Sequence, residues 1–197
     1  MPSTENESVE PQAWLLEQAS RSDILAEATA TWGESRLQIR YYLGGPPPPS
    51  SLVTSVRAVL FRDLTVVVIQ DGSLTYHVMP GGRCEPGESI EDTLRREILE
   101  ETGWTVASHR PLGFIHFRHL TPRPDDYPYP YPDFVQILFV AEAGEQVATA
   151  QPGEYEISAG FRPVDEALGL SLAREQAALL ESALRVREER RHPRLPS

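Results

Sequence analysis

The stretch PGGRCEPGESIEDTLRREILEETGW, Pro80 to Trp104, decides how the rest of the chain is read. Three of its glutamates, Glu97, Glu100 and Glu101, crowd together just before Gly103. Ser89 followed by Asp92 matches a capping-box start, and Gly103 is a natural stop, so the spacing predicts a helix of about four turns. At roughly 100° per residue, Ile90, Leu94 and Ile98 form one apolar stripe about 80° wide. Glu101 falls within about 20° of Leu94, inside that stripe, because seven residues make close to two turns. Glu97 lies on the edge of the stripe and Glu100 one step further round. The helix therefore aims two carboxylates at the protein body, with a third beside them.

Each part of that arrangement is unfavourable alone. Carboxylates at i, i+3 and i, i+4 repel. The helix C-terminus is already the negative end of the macrodipole. Partial burial adds a desolvation cost of several kcal/mol for each unpaired ion. The nearby cations are Arg95 and Arg96, and Arg96 reaches Glu100 but not all three glutamates. A solvated acidic face is the plainer reading of a glutamate-rich helix. Overlap with the apolar stripe favours a divalent cation, and carboxylate oxygens suit hard Mg²⁺ or Mn²⁺. The loop ahead of the helix fits this: Gly81 and Gly82 let backbone come close to a ligand, and Gly87 lets the chain turn into the helix. No lysine-bearing phosphate loop is present.

Gly82, five residues, Glu88, seven residues, then REILEETGW resembles the Nudix box. Gly82, Glu88, Arg96, Glu97, Glu100, Glu101 and Gly103 fill its fixed positions. Ile98 fills one apolar position, and Trp104 fills the other, where an aliphatic is usual. The strand pattern from about Leu52 to Val186 is similar to the whole Nudix domain. The resemblance implies an α/β fold, an α/β/α sandwich around a mixed β-sheet. It also implies metal-dependent hydrolysis of a nucleoside diphosphate linked to another group, by attack of water on phosphorus. By that resemblance Glu97, Glu100 and Glu101 hold the metal with the Gly81 carbonyl, Glu88 lies close by, and Arg96 holds the loop by an ion pair. Family members differ over the group that activates water; Glu97 is one choice here, and Glu154 or Glu156 on a later loop another. Glu156 is also expected among the metal ligands.

The remaining sequence surrounds this centre. The chain has 197 residues and a formal net charge of −11, which argues against long nucleic acid and anionic membrane as partners. A small anionic ligand carried in with a cation remains compatible with that charge. The polar start MPSTENESVE is no secretory signal, and no apolar run is long enough for a membrane span, so a cytoplasmic protein is expected. The single cysteine, Cys84, excludes an internal disulfide. The seam GGPPPPSS, Gly44 to Ser51, divides an extension (residues 1–50) from the main domain (51–190), with a basic tail at 191–197. The extension reads as a helix over about Pro11 to Ala30, followed by a strand in RLQIRYYL. Such a short preface needs a surface, on its own domain or on a second copy, and a homodimer is expected. LVTSVRAVLF, LTVVVIQ, HRPLGFIHFRH, DFVQILFVAEA and EYEISAGFRP read as strands. The segment from Val164 onward reads as helix, interrupted at Gly169.

For substrate, TPRPDDYPYPYPD offers Tyr127, Tyr129 and Tyr131 between prolines on an extended loop. Their faces suit stacking on a base, or equally packing on the fold. A proline in this region resembles ADP-ribose hydrolases, and the tyrosines resemble dinucleoside polyphosphate hydrolases. Arg118 and Arg123 are candidates for a distal phosphate or sugar, against simple exposed charge. His116 and His119 fall on opposite faces of a strand, poor for one metal, and are expected at the surface or in hydrogen bonds. Two rivals from other classes are a nucleotide-sensing module of the same fold without turnover, and an isomerase of allylic diphosphates. The second needs a nucleophilic cysteine away from the box, where Cys84 does not lie.

Overall fold

A computed structural model of the chain describes residues 11–21, 23–147 and 156–191. The main domain opens with a short 3-10 turn, Ser50–Leu52, and then β3 (Val53–Arg62), β4 (Thr65–Asp71) and the short β5 (Tyr76–His77). Helix α2 (Ile90–Thr102) follows, then the long β6 (Trp104–His119) and β7 (Asp133–Gln146), β8 (Glu156–Pro163), α3 (Val164–Leu168) and α4 (Arg174–Arg191). Before the proline seam lie α1 (Pro11–Ala19), β1 (Ile24–Trp32) and β2 (Ser35–Leu43). The strands form one mixed sheet in the order β1-β2-β6-β7-β3-β4-β5, with β8 pairing on β4. β3 and β7 run parallel at its centre.

The central strand is buried on both faces and reads accordingly as a near-continuous apolar run. Val56, Ala58 and Leu60 pack with Leu94 and Ile98 of α2 on one face. Val59 and Phe61 pack on the other, in a core that includes Leu179, Leu180 and Ala183 of α4. On the α2 face, Trp14 of α1 closes a smaller cluster with Tyr42, Phe114 and Val135. Helices thus cover both faces of the sheet, the α/β/α layering expected.

The extension departs from its reading in one respect. The helix ends at Ala19, and Ile24–Trp32 is a strand. High helix propensity of the alanines concealed a period of two: Ala26, Ala28 and Ala30 pack on one side against the α4-face core. β1 and β2 form a hairpin, and β2 pairs along β6 from Leu37↔His119 to Leu43↔Gly113. The preface is therefore covered by its own domain. This removes the ground on which a homodimer was expected. Gly169 caps α3 and separates it from α4. Positions 192–197 of the basic tail lie outside the described residues.

Between β3 and β4 only Phe61↔Val66 and Arg62↔Thr65 pair. The N-terminal half of β3 is left with an open edge there, and the loop before α2 takes it. Ala58 N–H donates to the Pro80 carbonyl at 3.0 Å, Val56 N–H to Gly82 at 2.9 Å, and Cys84 N–H to Thr54 at 3.0 Å. This backbone ladder fixes the glycine loop against the sheet and brings it under the last turn of α2.

Candidate active site

Helix α2 is delimited as its sequence dictates. Ser89 Oγ accepts from Asp92 N–H, Asp92 reaches back to Ser89 N–H, and Gly103 closes the helix in a left-handed conformation at φ 76°. With those ends fixed and Leu94 and Ile98 fully buried, Glu97 and Glu101 face the glycine loop, while Glu100 stays exposed beside Arg96. Gly81 N–H donates to Glu101 Oε2 at 2.7 Å. Gly82 lies so close to the Glu97 carboxylate that a Cβ there would collide with it. Gly81 sits at φ 137°, and its missing side chain makes room for the Val56 carbonyl and the Arg57 Cα. The carbonyls of Pro80 and Gly82 are taken by β3, while that of Gly81 is left out of this ladder among the described residues.

Arg96 organises the carboxylates. Its Nε and Nη2 donate to the two oxygens of Glu88 at 2.6 and 2.9 Å, a bidentate pair. Nη1 reaches Glu97 at 2.8 Å and Glu100 at 3.3 Å, and Nη2 also donates to the Arg83 carbonyl at 2.9 Å. Glu88 accepts further from the Glu85 N–H and the Thr93 hydroxyl. Arg96 first, then the Glu85 N–H, hold the Glu88 carboxyl down at about 2. The same pairing raises the Arg96 pKa above its ordinary value. Arg95 turns away, donating to the Val106 carbonyl. One guanidinium thus serves three carboxylates, and Glu101 has a backbone amide.

The donor set fits a hard divalent cation in charge and in chemistry: all oxygen, with more carboxylates than cations. Among the described residues no three acidic, histidine or cysteine side chains converge as ready ligands, because Glu97 and Glu100 are turned to Arg96 and Glu101 to Gly81. Glu97, Glu100 and Glu101 are the residues that would hold such an ion. Glu154 lies outside the described residues. Glu156 opens β8, its backbone paired to Asp71.

Beside the loop opens a cleft of about 270 Å³ on the α4 side of the sheet, lined in part by Gly82, Arg83, Tyr127 and Tyr129. Tyr131 stands back from the lining, its hydroxyl donating to the Thr121 carbonyl at 2.9 Å. Arg123 donates to the Tyr127 carbonyl and braces the loop. Arg118 does not reach the cleft. Strand alternation sends it to the opposite face, half-exposed and 3.7 Å from Asp133, apart from the tyrosines with which it was expected to meet substrate. His116 shares that face, buried and bonded to Asp133 at 2.8 Å. His119 faces the cleft, with Nε2 3.1 Å from the Tyr127 hydroxyl. The cations that do line the cleft are Arg83 and Arg57, the latter donating to the Met79 carbonyl at 3.1 Å. Sequence reasoning missed both, along with Trp32 and Ser55. Only the polar alternation of Ser55 and Arg57 within a valine-rich strand marked any of them in advance. Burial raises the Cys84 thiol pKa, so it is no ready nucleophile.

A glycine loop laid on a mixed sheet, with an acidic helix end above it and a cleft at its side, defines a class of α/β domain. The NUDIX domain family model matches residues 52–183, and the chain belongs to that family. It is 29% identical over 100 residues to the Nudix hydrolase YvcI of Bacillus subtilis, covering 50% of this chain and 60% of YvcI. It is 45% identical over 40 residues to an oxidized purine nucleoside triphosphate hydrolase of Danio rerio, covering 20% of this chain and 26% of that protein. The chain spans 37%, 60% and 58% of the length of three curated relatives from Bacillus subtilis that it matches. In fold it is similar to a mutant form of the Bacillus subtilis pyrophosphohydrolase BsRppH. The TM-score is 0.55 at 17% identity, over 84% of this chain and 97% of that one.

Proposed function

We propose that the chain is a divalent-cation-dependent pyrophosphohydrolase. It cleaves a nucleoside diphosphate linked to another moiety, such as a nucleotide sugar, a nucleoside triphosphate or a dinucleoside polyphosphate. The observation that carries this reading is the Arg96 clasp, which gathers Glu88, Glu97 and Glu100 against the glycine loop, whose Gly82 also lines the cleft. The chemistry that bound Mg²⁺ or Mn²⁺ supplies is neutralisation of the diphosphate oxygens and acidification of a water. Glu97, Glu100 and Glu101 would hold the ion, with the Gly81 carbonyl; the side chain of Glu156, the further expected ligand, lies outside the described residues. Arg96 keeps Glu88 ionised and immobile, so that the loop does not drift from the helix. Arg83 and Arg57 meet the phosphates, giving an acidic protein a local cationic wall. Tyr127 and Tyr129 offer ring faces to a base. The names carried by the relatives, a triphosphate hydrolase and a pyrophosphohydrolase, support the same bond type. The protein acts in the cytoplasm on small molecules; no helix among the described residues is long and apolar enough to cross a membrane.

A second reading has its own observation. Glu97 and Glu100 are satisfied by Arg96 rather than converging as ligands, which suits a module that binds nucleotide without turnover. One experiment separates the two. The protein is incubated with a panel of nucleoside diphosphate derivatives and Mg²⁺ or Mn²⁺, and release of phosphate or nucleoside monophosphate is followed. Turnover that stops with chelator is expected. Tight binding of one compound with no turnover of any overturns the enzyme in favour of the sensor.

A further inference from the structure

The far wall of the cleft comes from outside the matched family segment. Trp32, Ser35 and Leu37 line it from the β1–β2 hairpin, whose two-residue turn is Gly33 and Glu34, with Gly33 at φ 57°. The hairpin tip is tied to the tyrosine loop. Leu120 N–H donates to the Arg36 carbonyl at 2.8 Å, Arg36 N–H donates to Thr121 Oγ at 3.3 Å, and the Tyr131 hydroxyl holds the Thr121 carbonyl. Hairpin and loop form one hydrogen-bonded rim.

That rim is aromatic. Trp32 leans on Phe117 with ring centroids 5.3 Å apart, and Phe117 stacks on Phe134 at 4.7 Å. His119 meets Tyr127 edge-on at 4.9 Å, Tyr127 meets Tyr129 at 5.4 Å, and Arg83 lies over Tyr129 at 5.2 Å. Trp32 nevertheless keeps 50% of its surface exposed at the cleft. Two polar atoms in the same lining are buried without a hydrogen-bond partner, Ser55 Oγ and His119 Nδ1, in residues only 4% and 7% exposed. Such orphans are uncommon in folded proteins and mark places where a ligand or water completes the bonding. Burial lowers the His119 pKa, so near neutral pH the ring is uncharged. With Nε2 engaged by Tyr127, Nδ1 is left as a directional donor or acceptor. A serine hydroxyl can play either part.

We infer that the β1–β2 hairpin is a specificity wall: Trp32 covers the face of a nucleobase in this cleft, and Ser55 Oγ and His119 Nδ1 read its hydrogen-bonding edge. The inference rests on the hydrolase reading for the position of the diphosphate, which Gly82 and Arg83 border in the same cavity. A ring stacked on aromatic faces gains affinity whatever its identity, whereas fixed polar atoms discriminate among bases. Trp32 therefore sets the strength of binding, and Ser55 with His119 set the choice.

The test compares the wild-type chain with Trp32→Leu, Ser55→Ala and His119→Gln, each checked for folding by circular dichroism. Equilibrium dialysis with the four common nucleoside 5′-monophosphates, in chelator, gives Kd free of turnover. Steady-state hydrolysis with Mg²⁺ gives KM and kcat. Trp32→Leu is expected to raise Kd and KM about tenfold with kcat within about twofold, the loss typical of one stacking contact. Ser55→Ala and His119→Gln are expected to change the ranking of the bases. Wild-type turnover combined with unchanged KM and unchanged base ranking in all three variants overturns the specificity wall and leaves the hydrolase intact. Base-selective binding lost in the variants, with no hydrolysis by the wild type, supports the wall and overturns the hydrolase. A wild type indifferent to the base in both assays overturns the wall.

Discussion

Arg96 donates to both oxygens of Glu88, to Glu97, to Glu100 and to the Arg83 carbonyl, so five contacts converge on one side chain. The pH response of the site follows from this. Glu88 titrates at about 2 in the folded chain against an ordinary 4.5, held down chiefly by Arg96. A depressed carboxyl stabilises the fold fully above its unfolded value and loses that contribution as pH falls through the folded one. Thermal melts are therefore expected to show Tm dropping between pH 4.5 and pH 2, with a shallower drop in Glu88→Gln. Glu101→Gln tests a different role. The amide oxygen can still accept from Gly81 N–H, so the fold survives, while the charge that would hold a cation is gone. Activity is expected to fall by at least 10- to 100-fold, roughly the cost of disturbing a metal site, with Tm nearly unchanged; full activity would remove Glu101 from the cation site. At this scale the acidic cluster was legible because fixed spacing on a helix dictates direction. Arg118 was not, because a one-residue difference in strand phase decides which face it takes, and a sequence shows that phase poorly near a strand end.

Among the elements, α2 has the most complete local code. Its capping box, its apolar stripe and its left-handed glycine stop are all read from side chains within a few positions. Ser89→Ala removes the acceptor for Asp92 N–H and is expected to cost about 1 kcal/mol, measured by denaturant titration. Because that cap also orients the segment carrying Glu88, activity should fall with it. The glycine loop shows the reverse situation, where a long-range neighbour sets the requirement. Gly81→Ala would push a Cβ into the Val56 carbonyl at a backbone angle side chains rarely adopt, and is expected to destabilise by about 1–3 kcal/mol. The same contrast explains the misread extension. Ile24–Trp32 carries helix-favouring alanines, and only pairing with β2 and packing against α4 hold it extended. Tertiary context overrode a weak propensity.

At the scale of the molecule, the sheet joins the matched family segment to the hairpin ahead of it. Leu37, 1% exposed, belongs to the same core as Phe117, Phe134 and the α4 leucines while lining the cleft. Leu37→Ala is expected to lower global stability by about 2–5 kcal/mol and to raise KM, since one side chain serves both purposes. Had the hairpin been an independent appendage, the loss of stability would be small and local and KM would not change. The strand pattern made the layered architecture legible, but the order of strands was not, because pairing between β2 and β6 leaves no mark in either segment alone. That pairing has a consequence for biosynthesis. A ribosome releases β2 well before β6 exists, and β3 well before its parallel neighbour β7. The nascent hairpin must wait with its apolar side uncovered until most of the chain has emerged, a period in which holdase chaperones or slow translation would decide the yield of soluble protein.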